Sequence, residues 1–481
     1  ATLLVSLILS LGTVAVTKAQ AIQSITLSAS YLNDKAILEI IIYAPGYEED
    51  YINLRVKYAE TGQDLELQAL NQSGSDIGTA AADVFIAYKY ASGYYVAYLF
   101  GENATITPEF PKAHNSTTIP ETKSNYAKMP EDAEFGEDYV VYVPGTDVEA
   151  TFTYDYVLFS LSLERDPAEY PPEGYAKLTI VDQDFNLDPT AVDDCNGTQL
   201  NVTEIVVQRT STGERFSRAF PLASAPTLNN FIDENATETK VNSATFVFIL
   251  NFTKMAEYFN STEVFGSSFG EFEDGDIVTI TLYDPDYEDE VSFEFTVKSV
   301  SPTITLPTLS FSDEITVQVE WFDANKHSWE EDTIDYGDFT VVLLDASNLS
   351  KVYDIEKIGL EETDDNTAVF TNDTLELTWV AEEDDADENN GKLEVPLSLA
   401  KEGTEFVIKV NCSDAERYFD LTLHAPTLST DKSEYTMDDT VKVTLVDPDL
   451  NDDASVVESY NITVSNHKEL NSNAYATAWN T

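Results

Sequence analysis

The chain has 481 residues, 43% hydrophobic and 11% aromatic, which is enough apolar material for several packed cores and excludes a disordered polyanion. It carries 87 Asp and Glu against 26 Lys and Arg, a net charge of −61. Such a surface repels phosphate backbones and anionic headgroups, which are bound through clusters of Lys and Arg, so no nucleic-acid partner is expected. Self-repulsion on this scale calls for cations, either held at specific sites or supplied by a salt-rich surrounding.

At the N-terminus, residues 3–16 form an uncharged apolar run too short to span a bilayer comfortably, followed by Ala19-Gln20-Ala21, with small residues where a signal peptidase needs them. Residues 1–21 therefore read as a signal peptide without its basic n-region, and the mature chain starts at Ile22. A retained pilin-like helix is the alternative. Export to the cell surface predicts N-glycosylation, and twelve Asn-x-Ser/Thr sequons are present: Asn71, Asn103, Asn115, Asn196, Asn201, Asn235, Asn251, Asn260, Asn348, Asn372, Asn411 and Asn461. The two cysteines, Cys195 and Cys412, fall in different predicted domains and read as two thiols, not as a bridge.

From Ile22 onward the sequence repeats itself. Asp276-Ile-Val278-Thr-Ile280-Thr-Leu282-Tyr-Asp284-Pro-Asp286 matches Asp439-Thr-Val441-Lys-Val443-Thr-Leu445-Val-Asp447-Pro-Asp449, each an alternating strand that ends in an acidic turn. Ala176 to Asp184 and Ile315 to Asn325 are further copies, the last with a varied turn. A second landmark, Glu238-Thr239 with Asn242-Ser243-Ala244 and Phe246, recurs as Glu362-Thr363 with Asn366-Thr367-Ala368 and Phe370. It reads as a turn capped by its own side chains, with the Phe in the core. A third is a strand opened by acidic residues, at Glu137-Asp138, Asp276 and Glu405. The landmarks cycle in order and divide the chain into modules at 22–163, 164–300, 301–423 and a short fourth at 424–481. Strands of 5–8 residues between Gly, Pro, Asn and Asp clusters predict an all-β fold of tandem immunoglobulin-like β-sandwich domains, arranged as beads on a string. One short helix is expected at 254–259, and the acidic run 382–388 is expected as a solvated loop.

The "VDPDLN" (Val446–Asn451) and "VDQDFN" (Val181–Asn186) strand ends, with the Glu-Thr-x-x-Asn-Thr/Ser…Phe element after the second, resemble the repeated domains of archaeal S-layer and related cell-surface glycoproteins. The resemblance implies a glycoprotein subunit of a two-dimensional lattice. The first module departs from the pattern, with Ala44-Pro45-Gly46 in place of the acidic turn.

The acidic turns are candidate metal sites. Asp182, Asp184, Asn186 and Asp188, and likewise Asp447, Asp449, Asn451 and Asp453, alternate oxygen donors as the early ligands of a calcium loop do; Asp284, Asp286 and Glu288 form a third set. Oxygen-only donors favour structural Ca²⁺ over zinc or copper. The competing reading is an Asx-rich turn whose carboxylates serve backbone N–H groups without a metal. No catalytic motif is found, and the four histidines, His114, His327, His424 and His467, are scattered, so no enzyme is expected. Tyr94, Tyr95, Trp321 and Trp379 are candidates for a sugar platform or, by strand alternation, for core packing. The expected function is a structural surface protein that assembles with further copies of itself through divalent cations, held to the cell by an anchoring partner or a C-terminal anchor. A filamentous adhesin or stalk is the alternative, and the non-catalytic part of a surface hydrolase a further one.

Overall fold

The computed structural model describes residues 22–70, 76–79, 85–104, 123–309, 314–380, 386–396, 405–413, 415–422, 427–436, 438–446, 459–464 and 474–479. Strands dominate, and the described residues contain one α-helix, Phe252–Phe259. Its N-cap is Asn251, whose side chain accepts from the Lys254 N–H, and it buries Phe252, Met255 and Phe259 along one stripe. The helix expected at 254–259 is therefore present and begins one half-turn earlier. The protein is all-β, and its chain gathers into two compact units, 1–168 with 176–271 and 276–296, and 169–175 with 272–275 and 297–481.

In the first unit, Ser24–Leu27 pairs with Ile37–Tyr43, which pairs in turn with Tyr94–Phe100, all antiparallel. A second sheet sets Glu137–Tyr142 between Arg55–Tyr58 and Glu149–Tyr154. Alternation sends Leu38, Ile40 and Ile42 from one sheet, and Val56, Tyr139, Val141 and Phe152 from the other, into one core. The next sequence module follows the same plan. Ser160–Leu163 pairs with Tyr175–Val181, which neighbours Thr245–Asn251. The other sheet runs Asp289–Val297, Asp276–Asp284, Asn201–Arg209, Arg215–Ala219.

The second unit repeats this order. Thr303–Thr308, Glu314–Glu320 and Val369–Val380 lie side by side, as do Ala415–Thr422, Glu405–Cys412, Thr333–Asp345 and Asn348–Glu362. Here the two groups join into one sheet through Glu361↔Thr371 and Glu362↔Phe370. Their inward positions, among them Val317, Val319, Phe339, Val341, Ile408 and Val410, make one core. Thr427–Thr430 pairs with Val443–Val446 in the same antiparallel sense as the hairpins at 160–181 and 303–320.

Two sequence assignments change. Ser160–Leu163, placed at the end of the first module, pairs with Tyr175–Val181 and so opens the second. Asp276–Asp284, matched by sequence to residues 439–447, lies between Asn201–Arg209 and Asp289–Val297, whereas Val443–Val446 pairs with Thr427–Thr430. The likeness of these two segments is local: alternation ending in an acidic turn suits any strand that must leave a sheet. Glu137, Asp276 and Glu405, by contrast, do open equivalent strands. Asp276 alone of these is fully buried, and it holds the buried Arg209 through Nε–Oδ1 and Nη2–Oδ2 contacts of 3.1 Å each.

Candidate functional site

The repeated Glu–Asn turn is a built clamp. Asn242 and Ala244, and likewise Asn366 and Ala368, take positive φ between 52° and 59°, a left-handed conformation that turns consecutive N–H groups inward. The buried Glu238 carboxylate accepts from Ser243 N and from Ala244 N at 2.6 Å. Glu362 accepts from Thr367 N and Ala368 N, both at 2.7 Å. The second carboxylate oxygen reaches across to Asp193 N in one case (3.4 Å) and Asp332 N in the other (3.1 Å). The clamp also grips the strand-end turn: Ala244 O accepts from Asp182 N, and Ala368 O from Trp321 N. Asn186 donates to Asn242 Oδ1, as Asn325 does to Asn366 Oδ1.

That grip fixes a second carboxylate, Asp184 or its counterpart Asp323, over the residues that precede the module. Asp184 Oδ2 accepts from Val157 N at 2.9 Å. Asp323 Oδ1 accepts from Val300 N at 2.9 Å, and Asp323 Oδ2 from the Ser299 hydroxyl at 2.6 Å. In the first unit the joint is extended by the preceding module. Asn33 Nδ2 donates to Asp184 Oδ1 at 3.0 Å, Ile37 N to Leu187 O, Asn242 Nδ2 to Ser28 O, and Lys35 Nζ meets Asp286 at 2.7 Å. Asp34 sits alongside, accepting from Tyr156 Oη and Asn103 Nδ2.

Asp182, Asp184 and Asp284 are all buried, and they come from two different turns, 182–188 and 284–288, that meet here with half-exposed Asp286. Burial, reinforced by the Asp184 carboxylate, pushes Asp182 up to about 8. Burial likewise raises Asp184 to about 7; the Asn33 and Val157 hydrogen bonds oppose this, and Asp284 and Asp286 add to it. Asp284 is raised by burial too. The donors suit a hard cation, since they are all oxygen and Asn186 Oδ1 is buried without a hydrogen-bond partner. Among the described residues, however, no three Asp, Glu, His or Cys side chains surround one point as metal ligands. What the contacts show is carboxylates receiving N–H groups: Asp182 Oδ1 takes Asp184 N, and Asp284 Oδ1 takes Asp286 N and Tyr287 N.

The remaining predicted residues scatter. Asp188 accepts from Thr190 N and its hydroxyl, and Glu288 is an exposed turn residue with φ 59°. Asp447, Asp449, Asn451 and Asp453 lie outside the described residues, as do Asn71, Asn115, the side chain of Asn461, and residues 1–21 and 382–385. Of the other sequons, Asn103, Asn196, Asn235 and Asn348 are exposed, and Asn201, Asn251, Asn260, Asn372 and Asn411 are half-buried. Tyr95 is buried with its hydroxyl donating to Tyr47 O and Glu49 O, while Tyr94 is 40% exposed; Trp321 and Trp379 pack against the core of the second unit. Cys195 and Cys412 are buried thiols. His327 stacks on Tyr175 and meets Asp332 Oδ1 at 2.8 Å.

Asn33, Asp34 and Lys35 carry no sequence motif, and neither does a second buried acidic group. Asp354, Glu356 and Glu394 are all buried in the second unit. Burial, then the Glu356 and Glu394 charges, raises Asp354 to about 6. Asp354 accepts from Ile355 N and Glu394 N, and Glu356 from Asn390 N and Gly391 N. The signal was available: Asp354 and Glu356 occupy the inward parity of their strand with Ile358 and Leu360.

No protein-family model matches the sequence, and no curated protein matches it. Among solved structures the chain is similar to the native conformation of E. coli alpha-2-macroglobulin, at 10% identity and a TM-score of 0.21. That match covers 95% of this chain and 26% of the other, and at so low a TM-score it carries no argument about fold or function.

Proposed function

We propose that the protein is a structural cell-surface glycoprotein, an S-layer-like lattice subunit of tandem immunoglobulin-like β-sandwich modules. The observation that carries this reading is the twice-built joint, in which a turn carboxylate, Asp184 or Asp323, holds the N–H of the residue leading into its own module. Within the first unit, where Asn33 also bonds to Asp184, such a joint supports a stiff link between consecutive modules, which suits a scaffold more than a catalyst. The shared order of three strands in both modules, 160–163, 175–181 and 245–251 in one and 303–308, 314–320 and 369–380 in the other, supports the immunoglobulin-like reading. The signal-like residues 1–21 and the sequons support export, and the charge of −61 supports assembly through divalent cations.

Calcium is the proposed structural ion, and the junction of Asp182, Asp184, Asp284 and Asp286 is where it would relieve the most repulsion. The partner is a further copy of the chain, with an anchoring protein or a C-terminal anchor holding the assembly to the cell. Electron cryotomography of native cells tests the proposal. A periodic coat labelled by an antibody to this chain supports it, and isolated labelled fibres would replace it with the adhesin reading. Isothermal titration of EDTA-treated protein with Ca²⁺ tests the ion separately: no heat of binding at millimolar Ca²⁺ removes it.

A further inference from the structure

Six arginines occur in the chain, and two of them, Arg215 and Arg218, lie on one five-residue strand at the open edge of a sheet. The edge is open in a defined register. Arg209 N donates to Glu214 O and Phe220 N to Thr203 O, so the ladder bonds of this antiparallel pair fall on every second residue. Phe216 and Arg218 therefore bond inward, and the N–H and C=O groups of Arg215, Ser217 and Ala219 point away from the sheet. Arg215, Ser217, Arg218 and Ala219 are all exposed. Among the described residues neither Arg215 nor Arg218 forms an ion pair; Arg218 lies over the Phe220 ring. Charges on an edge strand ordinarily repel other edges. In a chain of net charge −61 a cationic edge does the opposite: it attracts further copies.

The complementary surface is in the second unit. Thr333–Asp345 pairs with Glu405–Cys412 only from Phe339 onward, so among the described residues no strand lies beside 333–338 on that side, and residues 335–338 form a bulge against Asn348–Glu362. The result is an open groove of about 680 Å³ beside Asp335, Gly337 and Asp338, with Trp321, Asp323 and Glu173 on its other walls. Among the described residues lining it, Lys326 is the one cation, and it is engaged by Glu173 at 3.5 Å. Asp335 and Asp338 are exposed and, among the described residues, form no ion pair. An acidic groove with an exposed bulge of unladdered backbone and an indole wall fits a strand that presents outward N–H groups and guanidinium ions.

We infer that the edge strand Arg215–Ala219 of one copy adds to the acidic groove at residues 333–338 of the next, joining copies head to tail. Because the two surfaces differ, the contact is heterologous and propagates into chains or closed rings. This inference rests on the lattice reading for its biological setting, but the contact is testable without it.

The test is sedimentation velocity of the full chain at low and at high salt, with R215E/R218E and D335K/D338K variants alone and mixed. Wild type is expected to form species larger than a dimer that dissociate as salt rises. Each variant alone is expected to associate at least tenfold more weakly, with unchanged circular dichroism. The equimolar mixture is expected to recover species larger than a dimer, since the reversed edge of one variant fits the reversed groove of the other and the two unchanged surfaces still fit each other. A monomeric wild type, a R215E/R218E variant that associates like wild type, or a mixture that stays monomeric overturns the inference. If the native coat persists with R215E/R218E in place of wild type, the lattice stands and this contact falls.

Discussion

Replacing Glu362 tests whether the Glu–Asn turn is held by its carboxylate or merely accompanied by it. The buried carboxylate accepts three backbone N–H groups, Thr367 and Ala368 at 2.7 Å and Asp332 at 3.1 Å. In Glu362→Gln the amide oxygen can keep the first two, but the amide nitrogen then faces the Asp332 N–H, donor against donor. Losing one charge-assisted bond and stranding one N–H costs about 2–3 kcal/mol. Glu362→Ala strands all three groups and should cost about 4–6 kcal/mol, a large part of the stability of a single domain. The reverse sign is expected at Ala368, whose φ of 55° strains its Cβ: Ala368→Gly should stabilise by about 0.5–1 kcal/mol. All four tryptophans, Trp321, Trp329, Trp379 and Trp479, lie in the second unit, so urea unfolding followed by tryptophan fluorescence reports on that unit alone. A Glu362→Gln midpoint equivalent to less than about 0.5 kcal/mol of destabilisation would refute the clamp.

Asp182 and Asp184, held near 8 and 7, bind protons more tightly in the folded state than at the ordinary carboxylate value of about 3.9. In EDTA their contribution is therefore fullest below pH 4 and is lost as pH rises through 7 to 8; thermal melts of the first unit by near-ultraviolet circular dichroism should show this slope, and Asp182→Asn should flatten it. Saturating Ca²⁺, if bound, should abolish the slope by holding both groups ionised. Asp276→Asn removes the carboxylate that the buried Arg209 guanidinium grips and should cost about 3–5 kcal/mol, whereas Arg209→Met with Asp276→Leu should cost less in the same melts, its remaining penalty being the lost donors to Phe269 O and Glu271 O. In native protein, glycopeptide mass spectrometry should find sugar on Asn196, Asn235 and Asn348, which are exposed. It should find none on Asn260 or Asn372, whose amide nitrogens donate to Ala256 O and Gly270 O, and to Gly359 O.

What could be read from the sequence was what short-range physics writes. Strand alternation marked Ile277 to Leu282 and Ile315 to Val319, and the Glu–Asn spacing marked a turn that does cap its own backbone. What could not be read was set by contacts between distant segments. Asp182 and Asp284 are about a hundred residues apart and meet because their strands end on the same side of the module. Nothing local announces that Asn33 will bond to Asp184, 151 residues on. Local likeness does not determine pairing either: residues 276–286 and 439–449 share a pattern, yet Asp276–Asp284 and Val443–Val446 have different neighbours.

The placement of Asp184 and Asp323 bears on how such a chain can change length. Each carboxylate belongs to the module that follows the bond it makes, and it grips main-chain N–H, a group every non-proline residue supplies. A duplicated gene segment would thus carry its own hinge fastening and could be inserted behind almost any neighbour. On the modular reading proposed above, copy number would be free to vary without a matched side chain on the neighbour, and the Asn33 to Asp184 bond would be an addition to that shared fastening.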